Sequence, residues 1–109
     1  MPDPSPGTFR ARSERRAEGV VIIAEGELDL VSAPVLAEAI PETGDEAVIL
    51  DLAGVGFMDS SGLRSLLEAR QRCLDAGRPF RIARPSDAVQ RVLELVDLAR
   101  EFEVAESPS

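Results

Sequence analysis

Two places in the chain carry side chains whose type and spacing can do chemistry. The first is Asp59-Ser60-Ser61-Gly62, a carboxylate and two hydroxyls directly before an apolar helical pattern. A hydroxyl at such a point can accept a phosphoryl group, attack as a nucleophile, or cap the orphan N–H groups of a helix. The second is Asp51, inside the apolar run Val48-Ile49-Leu50-Asp51-Leu52. A carboxylate there can take a phosphoryl group or anchor the N–H groups of a following loop. A third reactive group, the lone Cys73, flanks the apolar stripe of a helix and reads as a small core residue.

What the chain lacks narrows these options. All 12 basic residues are Arg, and His is absent, as are Lys, Trp, Tyr and Asn. No Ser-His-Asp or Cys-His arrangement can therefore activate Ser60, and no Gly-x-Ser-x-Gly elbow surrounds it. Without Lys there is neither a Walker-type phosphate loop nor Schiff-base chemistry. No Gly-rich loop precedes a helix, so nucleotide binding has little support. A single Cys and no His leave no zinc cage; neither metal nor cofactor is expected. The buried-strand Asp51 resembles the phosphorylated Asp of receiver domains, but that mechanism needs a Lys and a paired acidic cluster after the first core strand. Both are missing, so Asp51 reads as a loop anchor. Abundant Ala, Arg and Gly beside missing Lys and Asn follow most simply from coding bias.

Length and charge bound the rest. A chain of 109 residues, 44% hydrophobic and 29% charged, fits one ordinary globular domain. The formal charge of -8 is unevenly placed. Residues 1–16 hold four Arg and two acids, leaving eight Arg and eighteen acids in the remainder, a net -10. So acidic a body repels phosphate backbones, and direct nucleic-acid binding is not expected. The longest apolar run is Val20 to Ala24, too short to enter a membrane. Residues 1–7 are Pro-rich and lack the basic and apolar stretches of a signal peptide; a cytoplasmic protein is expected.

The elements that must position Ser60 follow from periodicity. Thr8 to Ser13 reads as an edge strand with charged outward positions. Val20 to Ala24 reads as a strand buried on both faces, antiparallel to the first through a turn near Ala17 to Gly19. Gly26-Glu27-Leu28-Asp29-Leu30 reads as a loop, and Ser32 as the N-cap of a helix carrying Leu36 and Ile40 and stopped by Pro41. Ala47 to Leu52 is a second buried strand, followed by a Gly54-Val55-Gly56-Phe57-Met58 loop. The strongest helix places Leu63, Leu66, Leu67, Arg70 and Leu74 on one face and ends at Gly77. Pro79 to Ala83 is a strand. Pro85-Ser86 opens a helix with Val89, Val92, Leu93 and Val96 inward, and Phe102 and Val104 lie on a short last strand. The class is α/β: one domain with a mixed, mostly parallel sheet of about five short strands and helices mainly on one face. We place a flexible segment at 1–7, the domain at 8–105 and a tail at 106–109.

The stretch from Val48 to Leu67 resembles the signature of STAS domains, and within them of bacterial anti-sigma factor antagonists. Those read as an apolar strand ending Asp-Leu, a short loop, Phe-Met-Asp-Ser-Ser-Gly-Leu, then an apolar helix; Phe57 to Leu63 matches. Gly26-Glu27-Leu28-Asp29 matches the family's loop before the first helix. The resemblance covers about Thr8 to Val104. Family members often carry a further helix after the last strand; here it is expected to be absent or reduced to a turn.

This resemblance implies a non-enzymatic switch. Ser60 maps to the phosphoacceptor. Asp29, Asp59, Ser61, Gly62 and Arg64 fall on the implied partner surface. The implied partners are an anti-sigma factor that is itself a serine kinase and a serine phosphatase that resets the switch. The unphosphorylated form binds the anti-sigma factor and frees the sigma factor. With Asp59 adjacent and no Lys, a phosphate on Ser60 is expected to stay solvated, leave the fold intact and oppose docking. The resemblance equally accommodates a STAS adaptor that is never phosphorylated, in a signalling assembly or beside a membrane transporter. It fixes no oligomeric state.

Overall fold

The computed structural model describes residues 9–42, 44–97, 102 and 104–105. The expected flexible segment at 1–7 and tail at 106–109 lie outside these. Strands β1 (Phe9–Arg16), β2 (Gly19–Leu28), β3 (Val48–Met58), β4 (Phe80–Ala83) and β5 (Val104–Ala105) form one sheet in the order β1-β2-β3-β4-β5. β1 and β2 are an antiparallel hairpin with Arg16 opposite Gly19; the other neighbours run parallel. Since β5 is two residues long, β1 to β4 carry the body of the sheet. Helices α1 (Ala33–Ala39), α2 (Ser60–Asp75) and α3 (Asp87–Leu95) connect the strands.

The side-chain alternation of β2 and β3 divides the core. Val20, Ile22 and Ala24 with Val48, Leu50 and Leu52 point into the main cluster. Leu36 and Ile40, then Leu63, Leu66, Ala69 and Cys73 of α2, then Val89 and Leu93 of α3 enter the same cluster. Val21, Ile49 and Ala83 form a small second cluster with Ile23 packed on it. β-Branched residues on both sides of a strand suit this two-faced burial.

Several local expectations are corrected. β1 extends to Arg16, beyond Ser13. Gly26 to Leu28 and Gly54 to Met58 are not loops: they pair with each other in parallel, Gly26 opposite Val55 and Leu28 opposite Met58. Two register shifts, between Ile23 and Glu25 and between Gly26 and Glu27, break the period of two that marks a strand. Gly26 has φ +113°, a conformation that suits glycine. Within α2, Leu74 faces out while Ala69 and Cys73 are buried, so the inward face turns away from the leucine stripe. Val96 lies past the end of α3 and is exposed.

The opposite end of the domain is held by Arg78, which is 3% exposed. Its Nε donates to the Glu46 carbonyl at 2.9 Å and its Nη1 to the Pro41 carbonyl at 2.7 Å. Phe102 packs tilted against Phe80, with ring centroids 6.4 Å apart.

Candidate functional site

Ser60 is the first residue of α2, directly after the end of β3. Asp59, not a serine, is the N-cap: its extended backbone frees Oδ1 to accept from the Gly62 N–H at 2.9 Å. The Ser60 side chain is exposed, and among the described residues its hydroxyl has no hydrogen-bond partner. Ser61 is half-buried, and Ser65 is buried with its Oγ donating to the Gly62 carbonyl at 2.6 Å.

Gly62 lets α2 close onto the second motif segment. A Cβ at Gly62 would stand 2.1 Å from the Leu28 carbonyl oxygen. The same oxygen accepts from the Asp59 N–H at 3.4 Å. Leu28 and Met58 end their strands side by side, so the turn after β2 and the start of α2 emerge at one sheet end.

That turn is built by Asp29 and Ser32 acting on each other. Ser32 Oγ accepts from the Asp29 N–H at 2.8 Å, and Asp29 Oδ1 accepts from the Ser32 N–H at 3.1 Å. Ser32 is buried and its helical backbone makes no side-chain cap on α1, a correction to its expected role. The hydroxyl is committed to the turn, donating to the Glu27 carbonyl at 2.8 Å. The turn lifts two apolar side chains into solvent: Leu30 is 74% exposed and Val31 82%. Val35 and Phe57 are also exposed. Sequence reasoning passed over this apolar group, although two large aliphatics in a turn are themselves a signal.

Asp29, Asp59, Ser60, Ser61, Gly62 and Arg64 thus belong to two adjoining segments at the same end of the sheet. Arg64 is exposed on α2, one turn after Ser60, and has no partner among the described residues.

Asp51 stands apart from this group. It is buried in β3, its Oδ1 accepting from the Ala53 N–H at 3.1 Å, the anchoring role read from the sequence. Its Oδ2 accepts from Arg84 Nη2 at 2.6 Å, a partner the sequence did not reveal. This hydrogen bond and the carboxylate charge hold the Arg84 guanidinium above the usual arginine range. Arg84 adopts φ +49°, and nearby Ser86 caps α3 while donating to the Val55 carbonyl. Burial pushes the Cys73 thiol above its ordinary range, the reverse of what a reactive thiolate needs. Among the described residues no group of acidic or thiol side chains could hold a metal ion, and no helix is long and apolar enough to cross a membrane.

Fold and site define an α/β domain that presents an exposed serine hydroxyl at a helix start capped by Asp59. The chain belongs to the STAS domain family, whose model matches residues 11–109. A crystal structure of an anti-sigma factor antagonist from Mycobacterium paratuberculosis is similar at 27% identity and TM-score 0.76, covering 96% of this chain and 90% of that one. The anti-sigma factor antagonist SpoIIAA in its unphosphorylated form shares the fold at 23% identity and TM-score 0.66, covering 88% of each chain. SLC26A9 shares it too, at 12% identity and TM-score 0.68, where the match covers 91% of this chain and 22% of that one.

Proposed function

We propose that the protein is a cytoplasmic anti-sigma factor antagonist, switched off by phosphorylation of Ser60. The observation that carries this reading is the state of the Ser60 hydroxyl: exposed, unbonded among the described residues, and held at a helix start whose cap is supplied by Asp59. The likeness to the mycobacterial antagonist over nearly the whole of both chains supports it.

In the unmodified state the protein binds an anti-sigma factor, and the sigma factor is freed. That anti-sigma factor is itself a serine kinase. In its active site Ser60 Oγ bonds to the γ-phosphorus of ATP, the bond from that phosphorus to the bridging oxygen breaks, ADP leaves, and the hydroxyl proton passes to a base of the kinase. The phosphoryl group adds about -1.5 to -2 charge at pH 7. Losing a partner needs only ~3–4 kcal/mol, or 10²- to 10³-fold, which repulsion and desolvation at a docking surface can supply. A serine phosphatase restores the hydroxyl. Exposed Leu30, Val31 and Val35 beside Asp29 give the partner apolar surface to bury, and Asp59, Ser61, Gly62 and Arg64 surround the hydroxyl.

The test is transfer of labelled phosphate from ATP by the anti-sigma factor kinase that this protein binds, mapped by mass spectrometry. Label at Ser60 is expected; label on Thr8 or another serine with Ser60 untouched overturns the reading.

A second reading is an adaptor that is never phosphorylated. The shared fold with SLC26A9, of which this chain matches about a fifth, supports it, since there the matched region is part of a longer chain. Pull-down with and without ATP separates the two: release on ATP addition belongs to the switch alone.

A further inference from the structure

We propose that Arg64 is the intramolecular partner of a phosphoryl group on Ser60, drawing the group back along the helix surface. This rests on the reading of Ser60 as the phosphoacceptor.

The placement follows from helix geometry. Ser60 and Arg64 stand four residues apart on α2, both exposed. Residues so spaced are neighbours on a helix surface. Helical side chains lean toward the N-terminus, so a long side chain covers the turn before its own Cα. An arginine at position 64 is therefore within reach of the turn that holds Ser60. Neither side chain has a partner among the described residues.

Among the described residues no carboxylate pairs with Arg64. On α2 itself, Glu68 is exposed four residues after Arg64, but Arg preceding Glu is the weaker order for such a pair, and the two form no ion pair. Asp59 Oδ1 is turned to the Gly62 N–H. From the turn after β2, Asp29 Oδ1 is engaged by the Ser32 N–H, and Glu27 is half-buried. A guanidinium matches a phosphate with two parallel hydrogen bonds.

The phosphate expected from the sequence to be fully solvated is thus paired, outward along α2 rather than inward. Modification then changes the surface twice. It adds a dianion and withdraws the guanidinium that the unmodified protein displays.

The test uses the full chain with phosphoserine installed at position 60 during translation, so no kinase is needed. The second ionisation of the phosphate is followed by ³¹P NMR against pH in wild type, Arg64→Gln and Arg64→Lys, with circular dichroism confirming the fold of each. A nearby cation favours the dianion. Wild type is therefore expected to hold the second proton about two- to fivefold less tightly than Arg64→Gln, with Arg64→Lys between them. Asp59, Asp29, Glu68 and the helix terminus act alike in all three, so the difference isolates residue 64. Superimposable titrations in wild type and Arg64→Gln overturn the proposal. Failure of a kinase to label Ser60 would instead overturn the phosphoacceptor reading, and it leaves this measurement untouched.

Discussion

Gly62 lies against the carbonyl oxygen of Leu28 so closely that a Cβ there would approach to 2.1 Å. Backbone meets backbone at this point, so no flexible side chain can move aside. The glycine of one motif segment and the leucine of the other are halves of a single contact.

Gly62→Ala is therefore expected to destabilise the fold by about 1–3 kcal/mol through overpacking. Helix propensity alone would favour Ala by ~1 kcal/mol. Urea denaturation decides between the two effects, and a variant as stable as wild type would show that the helix can move off Leu28 without cost.

Ser60→Ala is expected to leave stability within ~0.5 kcal/mol of wild type, as for a surface change that removes no cap. Asp59→Ala should cost ~0.5–2 kcal/mol, because Asp59 supplies the cap. The tetrapeptide alone divides capping between Ser and Asp; equal losses in the two variants would restore a structural role to Ser60. Ser60→Asp should keep the fold and weaken partner binding, and an unfolded Ser60→Asp would contradict the open placement of this side chain.

At high pH the buried thiol of Cys73 becomes a liability. Its folded ionisation lies above the unfolded value of 9.0, since burial disfavours the thiolate. Its stabilising contribution is full below about pH 9 and falls as pH rises further. Cys73→Ala should flatten that alkaline decline in thermal melts, and native Cys73 should react with a thiol reagent only as fast as the protein opens. Immediate labelling at pH 8 would contradict its burial.

At low pH two glutamates act in the opposite sense. Glu46 is held below the usual range by its own backbone N–H and by Arg15, and Glu14 by its hydrogen bond with Arg16. Folding is favoured above about pH 4.5, and the gain is lost as pH falls through the depressed values. Glu46→Gln should reduce the acid sensitivity of the melting temperature in low salt. An unchanged acid limb would mean that solvent screens these exposed pairs completely.

The order of elements was legible because β-branched runs and three-to-four spacing carry strong signals. Val20 to Ala24, a helix following Asp59-Ser60-Ser61-Gly62 and its stop at Gly77 could all be read from local pattern. The continuation of β2 to Leu28 and β3 to Met58 could not, since bulges at glycines erase the alternation while long-range pairing preserves the strand. The same limit hid Arg84 from Asp51, thirty-three residues away. At the site, the motif marked Ser60, Asp59 and Asp29. It could not tell that Asp29 and Ser32 shape a turn that exposes Leu30 and Val31, because that depends on which hydroxyl faces which amide.

The unequal treatment of Ser60, Ser61 and Ser65 bears on fidelity. Three hydroxyls within six residues would confront any modifying enzyme with near-identical chemistry. Here Ser65 is sealed and bonded, Ser61 is half covered, and only Ser60 stands clear. Packing thus ranks the three, closing off Ser65 and leaving Ser60 the most open, so an enzyme acting on this segment meets a preference already built into its target.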